Sequence, residues 1–479
     1  MRPALIFRLA VVVVLVALVM SLGYAVLALG VRPLDGVEGE VLFEGERIRA
    51  GLPIYTDPVA GVGDYGPIAA RFYVLYPPVW AWLVSWVPPR SAMLVARTVA
   101  SFAWFGLLVA IVLRAPRERK MAAAVTAAFT AGVYTLTLFA AAARPDALAV
   151  AFAGAALIRA VERGHVDMRA GALFALAVWT KPNVMGLAAG AFAVQLLLDR
   201  KVAARAIAAG LFVSGGIAAI LQHASNGVWL DHLLRATGQP ASLTLWGEQV
   251  SSRLPFLGAP IVLALVLSWR ARAAGPGTKI AFGALAASFA WTLVSLAKIG
   301  SASNYWMEPM VATTVVAALV PWTLPETGRV AWGLAGASLF QALWTGVGTM
   351  RSVPEAIDAA NVHAQFVQRV RATCNPGVDE VILADEPGLE LMLNGRVIAT
   401  PFQLTHLARR GKYPLEPWVS DVLRVESRCL LMEDDLLDRP LSQVSVEHDR
   451  FGPELRTVLR AKFVRTQEQG GWRLYRASR

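Results

Sequence analysis

Charged residues are scarce in this chain: Asp, Glu, Lys and Arg make up 16% of 479 residues, where soluble domains carry about a quarter. Hydrophobic residues reach 56%. That balance excludes a wholly soluble or disordered chain and indicates a membrane protein with some soluble mass attached. Cysteine is scarcer still. Only Cys374 and Cys429 are present, both in the polar C-terminal part, and no C-x-x-C or His/Cys cluster with metal spacing exists. None of the six histidines stands four residues from an acid, so a metal site has no positive support. No repeat of solenoid period is present. The net charge of +11 is not a nucleic-acid footprint, because the positive residues sit mainly in short loops between apolar runs, as membrane topology demands.

What is present is a succession of apolar runs. The first, "LIFRLAVVVVLVALVMSLGYAVLALG", exceeds the roughly 7–15 residue core of a secretory signal. It reaches the length of about 20 residues that a spanning helix needs. No clean A-x-A site follows, so it reads as a retained first helix. Candidate crossings are 4–30, 91–113, 121–142, 146–160, 169–181, 184–198, 203–222, 255–269, 279–298, 307–323 and 330–349. They are rich in Ala, Gly and Val, and small residues permit close helix packing in lipid. Between the first two lies "YVLYPPVWAWLVSWVPP" (73–89), Pro-broken and suited to lying at the interface with its tryptophans at headgroup level.

The basic loops alternate. With Arg2 and Arg8 cytoplasmic, the same side receives "RAPRERK" (114–120), "RAVERGHVDMR" (159–169), "DRKVAAR" (199–205) and "RARAAGPGTK" (270–279). The opposite side receives the acidic stretch after the first helix, "RPD" (144–146), "KPN" (181–183), the 223–254 loop and "KIGSASNYWMEP" (298–309). The positive-inside rule therefore predicts about eleven crossings and an outer C-terminus. The expected fold is an all-α polytopic membrane protein over 1–351, with interfacial helices in a first outer loop at 31–90. A small extracytoplasmic α/β domain at 352–479 follows. There, "DEVILADEPGLELMLNGRVIAT" reads as strand, turn, short helix and second strand, "SRCLLMEDD" as a buried strand, and "KFVRTQEQGGWRLYRAS" as a hairpin around Gly470–Gly471. An outer location permits a Cys374–Cys429 bridge; two free buried thiols are the equal alternative.

Ionisable residues at or near helix ends, outside the positive loops, all fall on the outer side: Asp35, Glu38, Arg144, Asp146, Lys181, Lys298 and Glu308. Charge near a membrane is expensive and marks function, so these residues suggest one polar cavity roofed by the "YPP" segment that holds Tyr76. Asp35 and Glu38 share one face if a helix begins there. Either Asp35 caps that helix with Glu38 as its capping-box partner, or it is an acceptor-only carboxylate that takes a proton from a hydroxyl. Arg144 and Asp146 flank Pro145: a snorkelling Arg with a dipole-favoured Asp, or a phosphate ligand beside an acceptor site. Lys181 either snorkels or neutralises a phosphate. Asn304, Tyr305 and Glu308 cluster where one helix ends and another begins, although aromatic-belt anchoring also explains Tyr305 and Trp306.

Taken in order, D-x-x-E-G at Asp35, "IRAGLPIY", "YPPVWAWL", "RPD", "KP" and "KIGSASNYWMEP" resemble the GT-C superfamily of membrane glycosyltransferases. The bacterial ArnT-like and RgtA/B/C/D-like group, related to protein mannosyltransferases, is the most similar. The resemblance runs to about residue 350, and the tail "ADEPGLELMLNGRVIATPFQLTHLARRG" is similar to C-terminal parts of members of that group. It implies inverting transfer of a sugar from a polyprenyl-phosphate or -pyrophosphate donor to a lipid, glycan or protein acceptor. That transfer would take place on the outer face of the bacterial cytoplasmic membrane. Asp35 would be the acidic catalytic residue, with Glu38 next to it; Arg144, Lys181 and Lys298 would stabilise the donor phosphate; Asp146, Asn304, Tyr305, Glu308 and Tyr76 would contact substrate. Metal-using relatives carry a second carboxylate motif that has no clear match here beyond Asp146, which leaves a divalent metal unsupported. Two rival classes remain, a transporter or lipid flippase and a membrane-anchored envelope assembly protein. Charges gathered at one face oppose the first, since a transport pathway places polar groups at several depths.

Overall fold

The computed structural model describes residues 3–63, 68–237, 239–321, 328–374, 380–424, 427–433, 435–440, 443–444 and 449–478. Two compact units divide the chain: 1–29, 95–218 and 241–355 form the first, and 30–94, 219–240 and 356–479 the second. The division expected at 351/352 falls inside one continuous helix, Gly328–Cys374.

The first unit is helical. Each of the eleven candidate crossings overlaps a helix, 121–142 two of them, and the last two residues of 307–323 lie outside the described residues. Among the described residues, five helices are long and apolar enough to cross a bilayer: Leu5–Val31, Pro89–Arg114, Arg200–Ser225, Leu243–Ala274 and Pro276–Ser295. A sixth span arises if the bent pair Arg117–Gly132 and Tyr134–Ala140 counts as one. Helices Met168–Thr180, Gly186–Leu198 and Met307–Leu319 have 13 residues each, about 20 Å at 1.5 Å per residue, short of a hydrocarbon core of about 30 Å. Helix length therefore does not establish eleven crossings.

The 75° bend occurs where Val133 turns to extended backbone after Gly132. A broken helix inside a membrane protein must re-satisfy its backbone, and hydroxyls do so here. Thr137 Oγ1 donates to Ala131 O (2.7 Å), while Ser21 and Thr349 donate to Gly132 O at 3.2 and 2.9 Å. Arg97 likewise serves the backbone: buried on Pro89–Arg114, it donates to Ala28 O (2.8 Å) and Leu29 O (3.4 Å), in the last turn of Pro3–Val31. Small residues set the closest packing. A methyl on Gly190 would meet Gly283 O at 2.0 Å, and one on Gly171 would meet Ala206 O at 2.1 Å, so these backbones approach as only glycine allows.

The second unit is built on a four-stranded sheet of order β1-β2-β4-β3, with β1 Ile382–Ala384, β2 Cys429–Met432, β3 Phe463–Gln469 and β4 Trp472–Ala477. β1 runs parallel to β2 and the other pairs are antiparallel. The expected hairpin closes at Gly470 (φ 59°) and Gly471 (φ 85°), a turn with two positive φ values that fits the right-handed twist of its strands. Side chains alternate between two cores, as strand geometry requires. Leu383, Leu430, Met432 and Tyr475 enter one, with Ile68 and Tyr73 of the first loop; Ile382, Ala384, Cys429, Leu431, Trp472 and Leu474 enter the other. Burial on both faces explains why "CLLM" is an unbroken apolar run.

One expected strand is absent from the sheet. Residues 397–400 are extended but pair with Arg71: Arg71 N donates to Ile398 O (2.8 Å) and Thr400 N to Arg71 O (3.1 Å). Glu390, also buried, accepts from the amides of Ile398 (2.7 Å) and Ala399 (3.1 Å). Burial pushes its carboxyl up to about 8, with those amides opposing the rise.

Of the two cysteine alternatives the bridge is formed: Cys374, at the end of the long helix, is joined to Cys429 at the start of β2, 55 residues on. Closing a loop of this size restricts the unfolded chain and contributes about 2–4 kcal/mol. Reduction, or Cys374→Ser, is expected to lower the melting temperature of the purified protein by that equivalent; melts with and without reductant check it.

Candidate functional site

The acidic stretch after the first helix is not a solvated loop. Helix Gly36–Arg49 starts at Asp35, and a full capping box forms: Glu38 N donates to Asp35 Oδ1 (2.7 Å) and Asp35 N to Glu38 Oε2 (3.2 Å). The two acids nevertheless differ. Glu38 is fully buried and accepts from Arg32 Nη2 at 2.8 Å, whereas the Asp35 side chain is 38% exposed and lies 3.9 Å from the same guanidinium. Of the two, Asp35 is the one open to solvent. Further along the helix, Glu40 Oε1 accepts from Gln403 Nε2 (2.7 Å). Glu44, one turn later, is pushed well above the usual carboxylate range by burial and by Glu40.

Two glycines bring residues of the C-terminal domain against this motif. A methyl on Gly39 would come 2.3 Å from Gly388 Cα, and one on Gly388 would come 2.3 Å from Asp35 O. Leu34 N also donates to Met392 Sδ at 3.2 Å. The second unit also contains Tyr76, partly buried just before helix Val79–Ser85. His232 ties two strands of loop together there: Nδ1 accepts from Val74 N (3.0 Å) and Nε2 sits 2.7 Å from Thr56 O. Its role is structural.

The first unit holds a polar cluster around Asp146, the first residue of helix Asp146–Arg163, where the helix dipole favours an anion. Asp146 Oδ1 accepts from Lys181 Nζ and Asn304 Nδ2, and Oδ2 accepts from Arg144 Nε at 3.2 Å. The cluster is buried, with side chains 11% exposed or less at Arg144, Lys181 and Asp146. Lys181 Nζ lies 6.0 Å from the Tyr305 ring centre and Arg144 lies 4.9 Å from that of Phe139. The sequence-named residues Arg144, Asp146, Lys181, Asn304 and Tyr305 are thus brought together. Asn304 Oδ1 is buried without a partner among the described residues.

Glu308 also serves a helix end. Its Oε1 accepts from Leu187 N at 2.7 Å, so it caps helix Gly186–Leu198 from a neighbouring helix. Lys298 is partly buried, interacts electrostatically with Lys181, and has no carboxylate in ion-pair range among the described residues. Arg253 escaped the sequence reading. It sits in helix Leu243–Arg270 and donates to Ser303 Oγ at 2.8 Å, next to Asn304. It falls within the 223–254 stretch expected as an outer loop, whereas the helix there starts at Leu243. The unit thus holds two cations on Asp146, Arg144 and Lys181, with Lys298 interacting with Lys181 and Arg253 bound to Ser303. Among the described residues no group of three or more His, Cys, Asp or Glu side chains is placed to hold a metal ion.

No protein-family model matches the chain, and no curated protein matches it in sequence. Solved structures do. The crystal structure of ArnT from Cupriavidus metallidurans bound to undecaprenyl phosphate is similar over 98% of this chain and 97% of that one, at 14% identity and a TM-score of 0.55. The same protein in the apo state gives 13% identity and 0.54 over the same shares. The chain has an ArnT-like polytopic membrane fold, in line with the GT-C resemblance of its motifs.

Proposed function

We propose that this chain is a membrane glycosyltransferase that moves a sugar from a polyprenyl-phosphate donor to an acceptor hydroxyl, with Asp35 as general base. The observation that carries the reading is the ArnT-like fold over 98% of the chain, since the acidic motif stands in it as a capped, partly exposed carboxylate. The ArnT structure solved with undecaprenyl phosphate supports a polyprenyl phosphate as the lipid carrier here. The alternation of basic loops supports the outer face of the cytoplasmic membrane as the place of reaction, with residues 352–479 on that side.

The reaction asks for two things. Asp35 accepts the proton of the acceptor hydroxyl as its oxygen forms the new bond to the anomeric carbon, which gives inversion by single displacement. The bond from that carbon to the phosphate oxygen breaks, and the electron pair leaves on the phosphate. A phosphate monoester has a second pKa of about 6, so its departure near neutral pH requires no general acid. It requires cations placed beforehand, because preorganised charge stabilises the developing anion without reorganisation. Arg144 and Lys181 are held by Asp146 and form the frame of the cationic cluster; Lys298 and Arg253, without carboxylate partners among the described residues, are the phosphate ligands. Asp146, Asn304, Tyr305, Glu308 and Tyr76 are assigned to substrate contact.

Turnover of a panel of polyprenyl-phosphate sugars by the purified protein in lipid, with candidate acceptors supplied, tests the reading. Consumption of one donor is expected; consumption of none overturns it. Arg253→Gln and Lys298→Gln are each expected to raise KM for that donor about tenfold or more, the loss of one hydrogen bond to a charged group. Unchanged donor KM in both would remove them from the phosphate site.

A further inference from the structure

Glu386 stands at the head of helix Pro387–Asn394, in the C-terminal domain that the sequence reading left without chemistry. A methyl placed on Gly36 would come 2.0 Å from its Oε2. The carboxyl group therefore lies against the residue that follows Asp35 and needs a glycine there. Its other oxygen, Oε1, lies 2.9 Å from Arg450 Nη1 in an ion pair. Arg450 is shared: the same Nη1 lies 2.8 Å from Asp385 Oδ2, and Nη2 lies 3.4 Å from Glu433 Oε2. The charged groups facing Glu386 are thus Arg450, Asp385, Glu433 and Asp35, with Glu38 and Arg32 joined to Asp35. Five carboxyl groups surround two guanidinium groups.

We propose that Glu386 is a positioning residue for Asp35: its carboxyl group closes the site from the side of Gly36 and sets the charge against which Asp35 works. This rests on the reading of Asp35 as the base. It makes the C-terminal domain part of the reacting unit, which explains why the Gly39–Gly388 crossing lays residues 34–39 directly on helix Pro387–Asn394. Burial pushes the Glu386 carboxyl up to about 8; Arg450 opposes the rise, and Asp385, Glu433 and Asp35 add to it. When it ionises, it places a second anion beside the carboxylate that takes up the acceptor's proton.

Two measurements on the full-length protein in lipid, native beside Glu386→Gln, decide the matter. The first is melting temperature against pH. A carboxyl whose folded value is raised from 4.5 to about 8 binds its proton more tightly in the folded than in the unfolded state. It therefore takes stability away as pH rises from about 4.5 through about 8. Gln cannot ionise, so the melting temperature of Glu386→Gln relative to native is expected to climb across that window and level off above it. The second is the pH profile of transfer. Native kcat is expected to rise a few-fold through pH 8 with donor KM unchanged, a step absent from Glu386→Gln and retained by Glu386→Asp. A melting difference independent of pH overturns the proposal, and so does a climbing difference with superimposable rate profiles, which would make the proton purely structural. Absence of transfer by the native protein at every pH is a separate result, which sinks the transferase reading and this inference with it.

Discussion

Alanine in place of Asp146 is expected to cost about 3–5 kcal/mol, the penalty for breaking a buried ion pair from one side. For a fold whose net stability is about 5–15 kcal/mol, that removes most of the folded population at elevated temperature. The reason is the asymmetry of the cluster. Asp146 answers both Lys181 and Arg144 and also accepts from Asn304, so its loss leaves two buried cations facing each other. A truncation of Lys181 removes one partner of that pair and relieves the repulsion. Asp146→Ala combined with Lys181→Met is therefore expected to melt higher than Asp146→Ala alone, with a coupling of about 1–3 kcal/mol. Thermal unfolding of the four proteins of this cycle in lipid measures it. An Asp146→Ala protein that melts with the native one would mean that the cluster contributes nothing to stability, and that the carboxylate is retained for substrate alone.

Much of this architecture is legible in the sequence because it is local. Apolar runs and the basic loops between them need no partner to be read, and among the described residues each of the eleven runs overlaps a helix. The glycine pair at 470–471 likewise specifies its hairpin on its own. Features that depend on contacts far along the chain are the ones that escape. The break at Val133 is stabilised by hydroxyls from Ser21 and Thr349, more than a hundred residues away in either direction. The extended stretch 397–400 is drawn off the sheet by Arg71. Glu308 reads as a site residue by position, yet its oxygen is committed to a helix end 121 residues earlier. Arg253 and Glu386 fail for the same reason, since only their neighbours give them a role. The two readings offered for Asp35, cap or catalyst, turn out not to compete: one oxygen caps the helix and the side chain still reaches solvent.

The proposed pairing of cap and base in one residue makes Asp35→Asn the most informative single change. Asn caps a helix about as well as Asp, so its Oδ1 still accepts from the Glu38 amide and the melting temperature is expected to stay near native. An amide cannot take up a proton at these pH values, and loss of a general base lowers turnover about 10²- to 10⁴-fold. Asp35→Ala is expected to lose the same turnover and about 1 kcal/mol of stability besides, because it removes the cap. Glu38→Gln reverses the pattern. Its carboxylate is buried on Arg32, so stability falls while turnover falls only as far as the helix start is disturbed. Measured side by side, kcat and melting temperature separate the two functions of one short motif. Full turnover in Asp35→Asn with none in a folded Glu38→Gln would move the base to Glu38 and require Arg32 to leave it during the reaction.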